Sequence, residues 1–207
     1  MMKEVKLAVI FYSSTGTNYQ LAQWAAEAGK KAGAGEVKLL KIEETAPQQA
    51  INENKDWKAN AEAMRDVQTA SLDDLEWADA IVFSVPTRYG NLPSQFAAFI
   101  DTTGGLWSQG KLANKVVSGM TSAQNTHGGQ ETTLLSLYKT MLHWGAIIAA
   151  PGYTDPVLFE AGGNPYGVSV TAGKENLTEN AHKAVVHQVK RTLSVGGWVK
   201  GGQKSAE

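Results

Sequence analysis

The 207 residues are 43% hydrophobic and 19% charged, the balance of a folded globular chain, and 19 Lys plus Arg against 20 Asp plus Glu leave a formal charge of −1, too even to draw the protein to nucleic acid or an anionic membrane. The absence of cysteine excludes disulfides, zinc thiolates, iron–sulfur clusters and thiol nucleophiles. The longest apolar runs, such as 7–12 and 145–151, fall far short of the ~20 residues of a membrane span, and no cleavage pattern follows the first of them, so no signal peptide is expected and the cytoplasm is the expected compartment.

In chain order, residues 5–12 are apolar, β-branched or aromatic and stop at a cluster of hydroxyl residues and glycine, the pattern of a buried strand ending in a turn. Leu21, Trp24, Ala25, Ala28 and Ala32 then recur at helical spacing, and Gly33 and Gly35 close the helix. Residues 36–42, 80–85 and 116–120 are further β-rich runs, with 146–150 a weaker fifth. Helical patterns occupy 93–101, 131–142 and 178–193. Leu134, Leu137, Tyr138, Met141 and Leu142 share a face of the second, and Ala181, Val185, Val189 and Leu193 a face of the third.

Strands alternating with helices predict an α/β, doubly wound, five-stranded parallel sheet with helices on both faces. Ligands of such sheets sit beyond the carboxyl ends of the strands, which directs attention to the loops after strands one, three and four. Two connections are long: 43–79, with one short helix expected near 57–65, and 151–176, rich in Gly, Pro and Asn. Connections beyond ~12 to 15 residues are often functional or interfacial. No repeat or linker divides the chain, which is expected to form a single domain over 1–195 with insertions near 43–79 and 151–176 and a flexible tail, 196–207.

The first loop, Ser13-Ser14-Thr15-Gly16-Thr17-Asn18, offers hydroxyls, an amide and backbone N–H groups where a strand turns into a helix, a suitable place for a phosphate. No Lys or Arg lies between Lys6 and Lys30, so an anion bound there is expected to be held by neutral donors and the helix dipole. The loop has neither a Walker A ending nor a Gly-x-Gly-x-x-Gly pattern. A plain Ser/Thr-rich turn that caps a helix has the same composition, and from these residues alone both readings stand.

Other motifs extend the comparison. The first loop resembles the phosphate loop of flavodoxin-like proteins, which hold the FMN phosphate without a basic side chain. Pro86-Thr87-Arg88-Tyr89-Gly90-Asn91, Asp101-Thr102-Thr103-Gly104-Gly105-Leu106-Trp107, Gly128-Gly129-Gln130-Glu131 and Gly162-Gly163-Asn164-Pro165-Tyr166-Gly167 resemble, in order and spacing, the WrbA-type NAD(P)H:quinone oxidoreductases across nearly the whole chain. The resemblance implies a flavodoxin-like fold, FMN as cofactor, and NADH or NADPH and a quinone as substrates of a ping-pong hydride transfer through the flavin. It also implies a homotetramer, and no metal is expected: His182 and His187 are spaced by five, unlike the i, i+4 pair that would face one metal from a helix.

By the same resemblance, Ser13 to Asn18 hold the phosphate. Pro86, Thr87, Arg88, Tyr89 and Gly90 line one edge of the isoalloxazine, with Tyr89 beside the ring. Arg88 near N1 or C2=O would stabilise the reduced flavin; the alternatives are a solvated loop arginine or one bonding only to neighbouring carbonyls. Ser122, Ala123, Gln124, Asn125, Thr126, His127 and Gly128 form the other wall, where relatives carry smaller glycine and hydroxyl residues. Trp107 resembles the aromatic that closes the substrate pocket, contributed by a neighbouring subunit, the alternative being a core or interface tryptophan. The family carries two adjacent histidines where this chain has His143-Trp144, so either Trp144 stacks at the flavin or the proton for the reduced quinone comes from solvent or Tyr89. No acid–base residue is assigned. The competing reading is a flavodoxin-type one-electron carrier, opposed by the charge of −1 and by the Gly-Gly-Leu-Trp and Asn-Pro-Tyr-Gly segments. A scaffold or DNA partner without redox chemistry is weaker still.

Overall fold

The computed structural model describes residues 4–203. Its centre is a parallel sheet of β1 (Lys6–Phe11), β2 (Glu36–Lys41), β3 (Ala80–Pro86), β4 (Val116–Ala123) and β5 (Ile147–Ile148) in the order β2-β1-β3-β4-β5. β3 and β4 are buried at every residue. That is why their sequences run as continuous apolar or small-residue stretches without alternation.

Successive residues of a strand face opposite sides, so β1 feeds two cores. Leu7, Val9 and Phe11 pack with Leu21 and Ala25 of α1 (Thr17–Lys31) and with Val185 and Val189 of α9 (Glu179–Gln203). Ala8 and Ile10 pack on the other side with Phe96 of α5 (Ser94–Asp101) and with Leu134, Leu137 and Met141 of α7 (Gln130–His143). The doubly wound sheet expected from the sequence is therefore present, and its order reverses between β1 and β3. The connections after these two strands part there and leave a crevice.

Three features depart from expectation. Segment 43–79 carries α2 (Gln48–Glu53), α3 (Lys55–Ala63) and α4 (Leu72–Trp77) instead of one helix. α3 starts early because Asn54 caps it, accepting from the N–H groups of Asp56 and Trp57. α4 starts at a capping box of Ser71 and Asp74. A sixth strand, β6 (Ser169–Thr171), pairs with Thr121 to Ala123 of β4, whereas β5 pairs only with Val116 and Val117. The fifth position of the sheet is thus shared by two short strands, and residues 149–168, mostly from the second long connection, interrupt it.

The expected tail is also corrected. α9 does not end at Leu193 but continues to Gln203, and it packs closely at Gly196, where a Cβ would lie 3.1 Å from Val5 Cγ1. Residues 204–207 lie outside the described part of the chain. Among the described residues no helix is long and apolar enough to cross a membrane.

Candidate active site

After Phe11 the chain turns at Ser13 to Gly16 into α1. Gly16 is the N-cap with φ 101°, a conformation that strains any side-chain-bearing residue. It offers no side chain to cap the helix, and the first turn has no acidic residue, so first-turn N–H groups and the positive end of the helix dipole are left for an anion. Ser14, Thr15 and Thr17 face the resulting cleft of about 280 Å³.

Two residues of this loop that also line the cleft have internal duties. Ser13 Oγ accepts from Gly16 N at 3.1 Å and shapes the turn. Asn18 is buried; its Nδ2 donates to Ser84 Oγ at 3.2 Å and its Oδ1 accepts from Ser122 Oγ at 2.5 Å. Its side-chain amide staples the start of α1 to β3 and β4, so Asn18 positions the loop.

The second wall is the loop after β3, with Pro86, Thr87 and Arg88 on the cleft. Arg88 and Asn91 exchange two backbone hydrogen bonds around Tyr89 and Gly90, both at positive φ (53° and 76°), as a tight type I′ turn requires. Thr87 Oγ1 accepts from Gly90 N at 3.1 Å and from Thr133 Oγ1 of α7 at 2.6 Å, which fixes the turn to that helix. Tyr89 is left 100% exposed in a strained backbone conformation.

Arg88 reaches the first loop from the loop after β3. Its Nη2 donates to Ser14 Oγ at 3.2 Å and its Nη1 to Thr87 O at 3.0 Å. A cation remote in sequence thus stands at the rim of the first loop.

The third wall is Ser122, Ala123 and Gln124, with Ala172 beside them. Asn125, Thr126 and His127 are exposed and do not line the cleft, nor does Gly128. They form the turn into α7, held by Gln130 Nε2 donating to Asn125 O at 2.8 Å. Gly128 is required sterically, since a Cβ would sit 2.4 Å from Ala123 Cβ.

Neither tryptophan expected at the flavin reaches the cleft within this chain. α7 begins at the cleft, and its 14 residues carry its end roughly 20 Å away at 1.5 Å per residue. Trp144, just past that end, is 6% exposed and packs in the core with Met141, Leu112 and Ala146, so its place is structural. Trp107 of α6 (Gly104–Ser108) is 57% exposed, and its indole N–H donates to His143 O at 2.9 Å.

Two further cleft residues, Asn54 and Trp57, come from the first insertion, where no motif points to them; only the length of the connection is a signal. Trp57 is oriented by Glu44, whose Oε2 accepts from Trp57 Nε1 at 3.1 Å and Tyr12 Oη at 2.9 Å, and whose Oε1 accepts from Gln95 Nε2 at 2.8 Å and Ala46 N at 2.9 Å. Burial first, then the Glu44 charge and hydrogen bond, push the Tyr12 phenol well above its ordinary range. Tyr12 is buried, gives its hydroxyl hydrogen bond to Glu44 and does not line the cleft.

Residues 5–154 match the model of the NADPH-dependent FMN reductase family. The chain belongs to this family. It is 62% identical, over 94% of its own length and 97% of the relative's, to NAD(P)H dehydrogenase (quinone) of Deinococcus radiodurans. It is 39% identical, over 82% and 83%, to the protein of the same name from Aromatoleum aromaticum. Among solved structures, a flavodoxin, WrbA-like protein from Agrobacterium tumefaciens is similar in fold, with a TM-score of 0.61 over 93% of this chain and 98% of the other at 20% identity.

The cleft of this family member suits a flavin mononucleotide. Hydroxyls and first-turn N–H groups, with Arg88 at the rim, can hold a phosphate, and the loops at 86–88 and 122–124 offer facing walls for a flat ring.

Proposed function

We propose that the protein is an FMN-dependent NAD(P)H:quinone oxidoreductase working by a ping-pong exchange of two electrons in one cleft. The observation that carries this reading is the pairing, in one open cleft, of an uncapped helix start rimmed by Arg88 with facing walls at 86–88 and 122–124. Family membership and the names of the relatives, which carry both NAD(P)H and quinone, support it.

Ser14, Thr15, Thr17 and the first-turn N–H groups hold the phosphate of FMN, and Arg88 adds charge at its rim. Residues 86–90 and 122–124 hold the ring, and Tyr89 and Trp107 serve the substrate pocket. When bound, FMN supplies the redox chemistry, taking two electrons from NADH or NADPH and returning them to a quinone. The protein supplies position and electrostatics. Since Tyr12 bonds to Glu44 and does not line the cleft, the proton for the reduced quinone comes from water at the open mouth or from Tyr89.

Trp107, Leu135 and Leu142 are exposed together along α6 and the outer face of α7, Leu135 and Leu142 being two turns apart. Copies of the chain cover this face in a homotetramer, and Trp107 closes the cleft of a neighbour. Light scattering on a gel-filtration column should give four times the protomer mass; a flavin-loaded monomer would refute the assembly.

The activity is tested by anaerobic titration of the FMN-loaded protein. One equivalent of NADH or NADPH should bleach the visible flavin band, and benzoquinone should restore it. A flavin that dithionite bleaches but neither nucleotide does would overturn the reading in favour of an electron carrier.

A further inference from the structure

Helix α3 meets the first loop through Asn60, which is 8% exposed and lies one turn after Trp57. Asn60 Nδ2 donates to two consecutive carbonyls, Ser13 O at 2.8 Å and Ser14 O at 3.1 Å. A trans peptide unit is planar, and its C=O and N–H point in opposite directions. Drawing the carbonyls of Ser13 and Ser14 onto Asn60 therefore turns the N–H groups of Ser14 and Thr15 away from Asn60. Successive N–H groups turned to one side form an anion-binding concavity.

α3 is itself held in place. The bond from Trp57 to Glu44 anchors its first turn, and Asn60 Oδ1 lies against Gly16, 3.4 Å from where a Cβ would stand. No shorter or apolar side chain at 60 could offer two donors to these carbonyls, and a carboxylate would repel them.

We propose that Asn60 is a positioning residue that sets the preference of this protein for the phosphorylated flavin over riboflavin, by aiming two loop N–H groups at the phosphate without touching it. The proposal rests on FMN occupying the cleft. It assigns a part of cofactor selectivity to the first insertion, outside the loops that contact the flavin.

The test is titration of the flavin-free full-length protein with FMN and, separately, riboflavin, followed by quenching of flavin fluorescence. In Asn60→Leu the FMN Kd should rise by about tenfold while the riboflavin Kd stays within about twofold, since the lost donor serves the phosphate loop and not the ring walls. Retained riboflavin binding shows that the variant is folded; should it bind neither flavin, Asn60→Ser, which keeps one donor, is measured instead with a smaller fall in preference expected in the same direction. Equal weakening of both flavins in a folded variant, or no change in either, would overturn the proposal. A wild-type protein with no preference for FMN over riboflavin would overturn both the proposal and the placement of FMN in the cleft.

Discussion

The guanidinium of Arg88 donates to the hydroxyl of Ser14 at 3.2 Å across 74 residues of sequence, joining the loop after β3 to the loop after β1. This bond brings positive charge to the rim of a first loop that has none of its own.

Arg88→Ala should therefore weaken FMN binding by about tenfold, the scale of one charge-assisted hydrogen bond, and Arg88→Lys by less. Because the guanidinium is exposed, the difference between wild type and Arg88→Ala should shrink as salt is raised. Fluorescence titration at low and high ionic strength measures both effects; an FMN Kd that Arg88→Ala leaves unchanged would show that the arginine serves only the turn.

Gly90 and Gly129 meet back to back, and a Cβ on Gly129 would lie 2.6 Å from Gly90 Cα at a φ of 88°. Gly129→Ala combines a backbone clash with left-handed strain, and a cost of about 1 to 3 kcal/mol is expected. Urea unfolding of the flavin-free protein should show it. Because the same contact seats the turn at Tyr89, the variant should also hold FMN less tightly.

Trp144 and Trp107 should separate in their effects. Trp144→Ala empties a core position and should destabilise the fold by about 3 to 5 kcal/mol in denaturant titration. Trp107→Ala should leave protomer stability within about 1 kcal/mol, as expected for an exposed side chain with one hydrogen bond, and should raise the KM for quinone in steady-state kinetics. The opposite pattern, with Trp144→Ala stable and kinetically impaired, would place Trp144 at the flavin of a neighbouring subunit.

Alkaline pH tests the bond from Tyr12 to Glu44. The folded pKa of Tyr12 is raised, so the folded state holds this proton more tightly than the unfolded chain, and stability falls as pH rises above the unfolded value of 10.0. Tyr12→Phe should lose about 1 kcal/mol at neutral pH and then decline less steeply than wild type above pH 10. Taking the difference between the two proteins cancels other titrating groups, including Lys115, whose lowered pKa works in the opposite direction. Parallel stability curves would show that Tyr12 does not titrate differently on folding.

The architecture was legible because a sheet covered on both faces leaves plain marks: β1, β3 and β4 are unbroken buried runs, and α1 and α7 repeat their apolar residues with the helical period. β6 left no such mark, since three residues are too few to show a pattern. The loops after β1, β3 and β4 were legible as a site for a related reason. Each ends a recognisable strand at the carboxyl edge of the sheet, and their motifs match a family in order and spacing.

Sequence order alone thus determined the class of fold, the edge of the sheet where the cleft opens and most residues lining it, because these follow from local periodicity and from motifs a few residues long. Tertiary structure decided which of those residues face a ligand and which hold the others. Asn18 is spent on Ser84 and Ser122, Trp144 is carried to the far end of α7, and Arg88, Glu44 and Asn60 reach the first loop or its neighbours from elsewhere in the chain. Such residues are single polar side chains in loops or short helices. Their roles depend on contacts across the fold, for which neither period nor spacing exists in the chain.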